Sequence, residues 1–307
     1  MIKFALRRNL IHVLQYIIWS VARDILVFFM DLLFKFNKSY IFANSLFLGE
    51  LLAGAIMYLS LKKYNKKKKI QYFMSIKLLN TAGNEIPPSD SKIKILLLIF
   101  LITLLNVLKI SLCNIYLPRF FNLSKSLFKR LMGLSTIFSF FFYVYALRLP
   151  VYRHHKFSLL IIGICLIIII GTEFIFQKFD IFTSYKSLSV AIAYITFGQF
   201  LWSCVDSVEK YLFEYDFMNP LVILMYEGSI GFFLSFLNLL ERNYFYDLVI
   251  LYNKKDVGKF VSFIFMLFAY VILSGGKNLF RVITTKIFSP MVTTLQDYAL
   301  NPIYSKT

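Results

Sequence analysis

Cysteine is scarce in this chain: Cys113, Cys165 and Cys204 are all there is in 307 residues. They lie in or beside apolar runs at no ligand spacing. That excludes a disulfide framework and a zinc site and leaves them as packing residues. Acidic residues are outnumbered 16 to 34 by lysine and arginine, a formal charge of +18. In a soluble chain that excess points to nucleic acid. Here the basic residues mostly stand between apolar runs, so the excess reads as topogenic charge facing the cytosol, with no nucleic acid partner. A Gly-rich phosphate loop and a nucleophile elbow are also missing. "SGGK" (274–277) lacks the P-loop spacing and follows an apolar run. Alternation of apolar and polar residues is absent from the long runs, which excludes a β-barrel.

What the chain has is apolar length. It is 59% hydrophobic and 19% aromatic, with a mean hydropathy of +0.68. A soluble domain is roughly 45–50% apolar. The richness in Phe, Ile, Lys, Asn and Tyr fits an AT-rich coding bias, so the aromatics are not read as a stacking platform. A bilayer crossing takes roughly 20 apolar residues, as a helix because lipid offers the backbone no partners. Nine spans are expected, at 13–34, 41–61, 95–114, 129–149, 157–176, 189–212, 219–240, 259–275 and 282–304. The ninth is interrupted by Lys286, Gln296 and Asp297. The basic start, Lys3, Arg7 and Arg8, resembles a signal peptide, but Arg23 and Asp24 interrupt the apolar stretch and no small-residue cleavage site follows. It is expected to stay as the first span.

One long loop, 62–94, carries "KKYNKKKK" and "GNEIPPSD". The lysine run places it in the cytosol, and with two spans before it the N-terminus lies there too. "RLPVYRHHK" (148–156) then falls in the cytosol as its charge requires, whereas "NKKDVGK" (253–259) falls on the opposite side against the rule. His154 and His155 read as part of the basic cytosolic turn. Adjacent helical histidines point apart and no acidic or Cys partner stands near, so no metal is expected.

The chain echoes itself. The second span reads "NSLFLGELLAGAIMYL" (44–59) and the seventh "NPLVILMYEGSIGFFLSF" (219–236). Both hold Glu-x-x-x-Gly: Glu50 with Gly54, and Glu227 with Gly231, each separated from its counterpart by 177 positions. Trp19-Ser20 is echoed by Trp202-Ser203, and "FKF" (34–36) by "FEY" (213–215). Further on, "LFKRLMGLSTIFSFFFYVYALRLPVY" (127–152) parallels "LFRVITTKIFSPMVTTLQDYALNPIY" (279–304). Two repeats follow: 1–188 with five spans and the basic loop, and 189–307 with four. An odd span number in the first repeat inverts the second, the scaffold of secondary transporters. The partner of 157–176 would come after Tyr304, so a tenth span is expected to be missing.

These residues resemble the drug/metabolite transporter superfamily, the EamA-like proteins, whose fold is a five-plus-five inverted repeat. "SVEKYLFEYDFMNPLVILMYEGSIGFF" (207–233) is similar to the F subfamily of solute carrier family 35. The shared residues are Glu209-Lys210, Pro220-Leu221, Glu227-Gly228 and Gly231-Phe232. "NLFRVITTKIFSPMVTTLQDYALNP" (278–302), with Thr285-Lys286, Ser289 and Asp297, resembles that family's ninth helix, and "SLFKRLMGLSTIFSFFF" (126–142) its fourth. The resemblance implies an all-α polytopic carrier that is not an enzyme and has no cofactor. It implies alternating access for a small anionic organic solute, nucleotide-sugar-like or another metabolite, and a homodimer contact through the tenth helix. Without that helix, the alternative is a truncated, non-transporting interaction or regulatory protein.

Ionisable residues inside the spans are the candidate site, since each costs roughly 2.5–3.5 kcal/mol at the bilayer centre on insertion scales. They are Arg23, Asp24, Asp31, Glu50, Lys109, Asp206, Glu209, Glu227, Lys286 and Asp297. Glu50 and Glu227 have two readings: helix anchors paired with a nearby Lys or Arg, with Gly54 and Gly231 allowing close approach, or a symmetry-related pair that moves protons or holds solute. Arg130, Lys277 and Arg281, at the starts of spans four and nine, read either as snorkelling helix ends or as a cationic entry for an anion. Lys286, deeper, and Asn278 are read as cavity residues. The solute-binding set is therefore Arg23, Glu50, Arg130, Glu227, Asn278, Arg281, Lys286 and Asp297. A membrane enzyme would need a reactive cluster near one interface, and the 153–156 turn lacks the carboxylate.

Overall fold

The computed structural model describes residues 2–34, 40–67, 91–112, 131–148, 153–177, 185–241 and 257–287. Among these the chain is almost entirely helical: α1 (Ile2–Phe34), α2 (Tyr40–Lys67), α3 (Lys92–Ile110), α4 (Gly133–Phe141), α5 (Arg153–Gln177), α6 (Tyr185–Glu214), α7 (Pro220–Glu241) and α8 (Val257–Ile287). Four helices are long and apolar enough to cross a bilayer: Ile41–Lys63, Lys92–Ile110, Pro220–Leu237 and Val257–Ile287. The protein is an all-α membrane protein. Its side chains sort accordingly. Leu97, Phe100, Ile167, Phe265 and Phe268 are exposed, while Thr103, Gln199, Ser203, Glu209 and Glu227 are buried. Apolar surface outside and polar groups inside is the arrangement that lipid as solvent demands.

The local signals are physical ones. Asn219 caps α7: its side-chain Oδ1 accepts from the Leu221 N–H at 3.0 Å, and Pro220 takes the first helical position, where its missing N–H costs nothing. The reversal from α6 into α7 passes through Phe217 at φ 52°, with the Met218 N–H returning to the Leu212 carbonyl at 3.0 Å. Helix α4 ends in a π-turn, Phe142–Ala146, closed by the Leu147 N–H on the Phe142 carbonyl at 3.0 Å. Helix α5 begins at Arg153, so His154 and His155 lie on its first turn, not in the connecting turn the charge pattern suggests.

The eighth and ninth expected spans are not separated as the sequence reading has them. One helix, α8, runs through the expected junction at 276–281. At 1.5 Å per residue its 31 residues extend roughly 46 Å, well over a hydrocarbon core of about 30 Å. Gly275 and Gly276 resemble a break in the sequence, but here they are contact positions. A Cβ on Gly275 would meet the Gly49 backbone and come within 3.1 Å of the Ala53 Cβ, and one on Gly276 would strike the Trp19 ring. Lys277 and Arg281 are consequently interior helix residues, buried, and not a snorkelling helix end. The greater part of the expected ninth span, with Asp297, lies outside the described residues.

The chain packs as two compact units: Met1–Val107 with Glu209–Phe288, and Leu108–Val208 with Ser289–Thr307. Each unit takes residues from both expected repeats. In the first, α1 packs on α8, and α2 on both α7 and α8. Helix α1 runs antiparallel to α8: His12 meets Phe280, Tyr16 meets Lys277, and Phe34 meets Phe263. Helices α2 and α7 are also antiparallel, because Gly54 faces Leu221 and Met225 while Phe47 faces Gly228 and Gly231. At their crossing a Cβ on Gly228 would come 2.8 Å from the Leu51 Cα and 2.9 Å from the Phe47 carbonyl oxygen. Small residues bring the backbones together, which is how helices gain dispersion contact where no hydrophobic drive exists. In the second unit, Leu131, Leu166 and Ile195 form a core joining α4, α5 and α6.

Candidate functional site

The buried charges of the first unit come together on the inward face of α8. Ser274, Asn278, Arg281 and Thr285 recur at helical spacing and are buried, while Ile264, Phe265, Phe268 and Ile272 face outward. The Arg281 guanidinium reaches across to α6 and donates to both carboxylate oxygens of Glu209, NH2 to Oε1 at 2.6 Å and NH1 to Oε2 at 3.0 Å. This is the bidentate fork that makes arginine specific for a carboxylate. The same NH2 lies 3.8 Å from Oε2 of Glu227 on α7. One turn before Arg281, Asn278 donates from Nδ2 to Oε1 of Glu50 on α2 at 2.5 Å. Glu209 and Glu227 are both 0% exposed and Arg281 7%. Three carboxylates and a guanidinium from four helices thus share one dry interior.

Several candidates fall elsewhere. Arg23 pairs with its own neighbour Asp24 on α1 at 2.6 Å, partly exposed. Lys286 lies on the last turn of α8, part-exposed, and its backbone carbonyl accepts from Nζ of Lys210 at 2.9 Å. Lys210 also pairs with Glu214 at 2.8 Å, so it satisfies the end of α8 and its own helix together. Lys277 stands over the Tyr16 ring at 5.7 Å from its centre. Lys109 lies 4.5 Å over the Trp202 ring in the second unit, a cation–π contact that stabilises a lysine among apolar helices. Arg130 and Asp297 lie outside the described residues, and of Asp31 only the backbone is described. The solute-binding set thus contributes Glu50, Glu227, Asn278 and Arg281 to one cluster.

Glu209, an ionisable residue within an expected span but outside the solute-binding set, is the principal partner of Arg281. Gln199 carried no signal at all. It is fully buried on α6, and neither amide atom is hydrogen-bonded to a described residue. One turn on, Ser203 donates to the Ser135 carbonyl of α4 at 2.8 Å, and Ser139 of α4 is likewise fully buried. A polar seam therefore runs between α4 and α6 in the second unit.

The arrangement supports charge exchange, since one guanidinium has two carboxylates within reach. It does not resemble a metal centre: among the described residues no three His, Cys, Asp or Glu side chains converge as ligands. Compared with family models, with curated proteins and with solved structures, the chain matches none.

Proposed function

We propose that the protein is a secondary carrier that moves a small organic solute across a membrane by alternating access, built on an inverted repeat. The observation that carries this reading is the α2–α7 crossing. The repeat offset of 177 positions pairs Leu51 with Gly228, and those two residues meet at the crossing. Gly54 of one helix and Gly231 of the other each pack against the opposite helix on either side of it. Antiparallel equivalents meeting at their own counterparts is what a pseudo-two-fold axis in the membrane plane produces. Glu50 and Glu227 flank that axis and are buried, away from any lipid-facing surface, which supports reading them as part of the carrier's interior.

The solute class rests on the cations. Lys210, Lys277 and Arg281 line the inner faces of α6 and α8. An anionic solute, nucleotide-sugar-like in size, would compete with Glu209 for the Arg281 fork, since a phosphate presents the same bidentate geometry as a carboxylate. Cytosolic placement of the N-terminus and the 62–94 loop belongs to the same proposal. The test is uptake of a panel of radiolabelled nucleotide sugars and other phosphorylated metabolites into proteoliposomes. Uptake of at least one is expected, falling tenfold or more in Arg281→Ala and Glu227→Ala and unchanged in His154→Ala. No uptake of any member, with correctly folded protein in the bilayer, rejects the carrier.

A further inference from the structure

The geometry points to Glu227 as a proton-binding site, exchanging its proton against the Arg281 guanidinium. The inference deepens the carrier reading by naming its coupling ion, and it rests on that reading only for the use made of the proton. Burial of an unpaired charge is far costlier than burial of a matched pair. Arg281 spends its fork on Glu209, at 2.6 and 3.0 Å. Its approach to Glu227 is one atom at 3.8 Å, too long for a hydrogen bond. Neither oxygen of Glu227 receives a hydrogen bond from a described residue, although the side chain is wholly buried.

The charged groups acting on Glu227 from the packed helices are Glu209 on α6, Arg281 on α8 and Glu50 on α2. Two of the three are acids, so a proton on Glu227 removes one of the like charges that these helices bring together. A metal ion would need several ligands converging on one point, and the described residues supply no such set. A proton needs one oxygen. On Glu227 it also solves the bonding problem. Two bare carboxylates can only accept, but a protonated Glu227 can donate to Glu209, which stands within side-chain reach.

The exchange then balances. Glu227 as carboxylic acid releases one proton to water and becomes a carboxylate. The new charge draws the Arg281 NH2 across from Glu209 Oε1, and the fork is divided between α6 and α7. Return of the proton restores the Glu209 fork. Proton loss and helix–helix attachment are thereby linked through a single side chain, a two-position element of the kind a rocking carrier uses.

Infrared spectroscopy of the full chain in lipid nanodiscs at neutral pH tests this directly. The wild type is expected to show a protonated-carboxyl carbonyl band, sensitive to deuterium exchange, that is missing in Glu227→Gln. Glu227→Asp keeps a carboxyl one methylene shorter, and with it the band is expected to shift instead of vanishing, which covers a glutamine variant that does not fold. Raising the pH discharges the wild-type band. A wild-type spectrum with no such band, or a band unchanged in both variants, overturns the proposal. Because the measurement reads proton occupancy and not flux, it can fail while solute uptake stands, and succeed while uptake fails.

Discussion

Arg281 on α8 grips both carboxylate oxygens of Glu209 on α6, 72 positions earlier in the chain. The pair is buried to the point where neither member can turn to water. Removing one partner strands the other, at a cost of about 3–5 kcal/mol for a buried ion pair. Glu209→Ala and Arg281→Ala are each expected to lose stability on that scale in denaturant titrations of detergent-solubilised protein. The apolar double variant, Glu209→Leu with Arg281→Met, is expected to recover most of the loss, giving a large coupling energy in the double-mutant cycle.

The hydrogen bond from Asn278 to Glu50 is charge-assisted when Glu50 is ionised, and such bonds contribute about 1.5–3 kcal/mol. Asn278→Ala is expected to destabilise by that amount. Asn278→Asp places a second acid against Glu50, and a larger loss is expected at neutral pH than at acidic pH. Thermal unfolding at two pH values measures both.

Glycines divide by what surrounds them. A Cβ at Gly228 meets the Leu51 backbone, which has no flexible end to yield. Gly228→Ala is expected to cost about 1–3 kcal/mol by overpacking. Gly163 and Gly171 on α5 have nothing within 4 Å of an added Cβ. Gly163→Ala and Gly171→Ala are expected to gain about 0.5–1 kcal/mol from helix propensity. The opposite signs are read from the same unfolding assay.

Orientation is checked by labelling. In a background free of Cys113, Cys165 and Cys204, a cysteine at Lys66→Cys is expected to react with a membrane-impermeant maleimide from the cytosolic side, together with an N-terminal tag. Lys255→Cys is expected to react from the other side. Reaction of both cysteines from one side contradicts the proposed threading.

Periodicity and composition made the membrane class and most helices readable, because a bilayer imposes one rule, long and apolar, on every crossing. The same rule misled at 276–281. Paired glycines followed by Lys277 and Arg281 look like the end of one span and the basic start of another. They are the middle of α8, since glycine there admits Gly49 and Trp19, and the arginine is balanced by Glu209. The list of buried acids was likewise legible as a list. Lipid makes every ionisable residue in an apolar run conspicuous, so Glu50, Glu209 and Glu227 stood out without any structure.

What the sequence alone determined is which residues lipid would not tolerate on the outside, and that two helices carry the same Glu-x-x-x-Gly signature. Transfer energies act residue by residue, so a linear pattern suffices for that. Who neutralises whom was decided only by the tertiary structure. Asn278 went to Glu50 and the Arg281 fork to Glu209, with Glu227 left beside it. Such pairings depend on distance and direction between helices far apart in the chain. Charge interactions in a dry interior change with each ångström, and no spacing along the sequence encodes them.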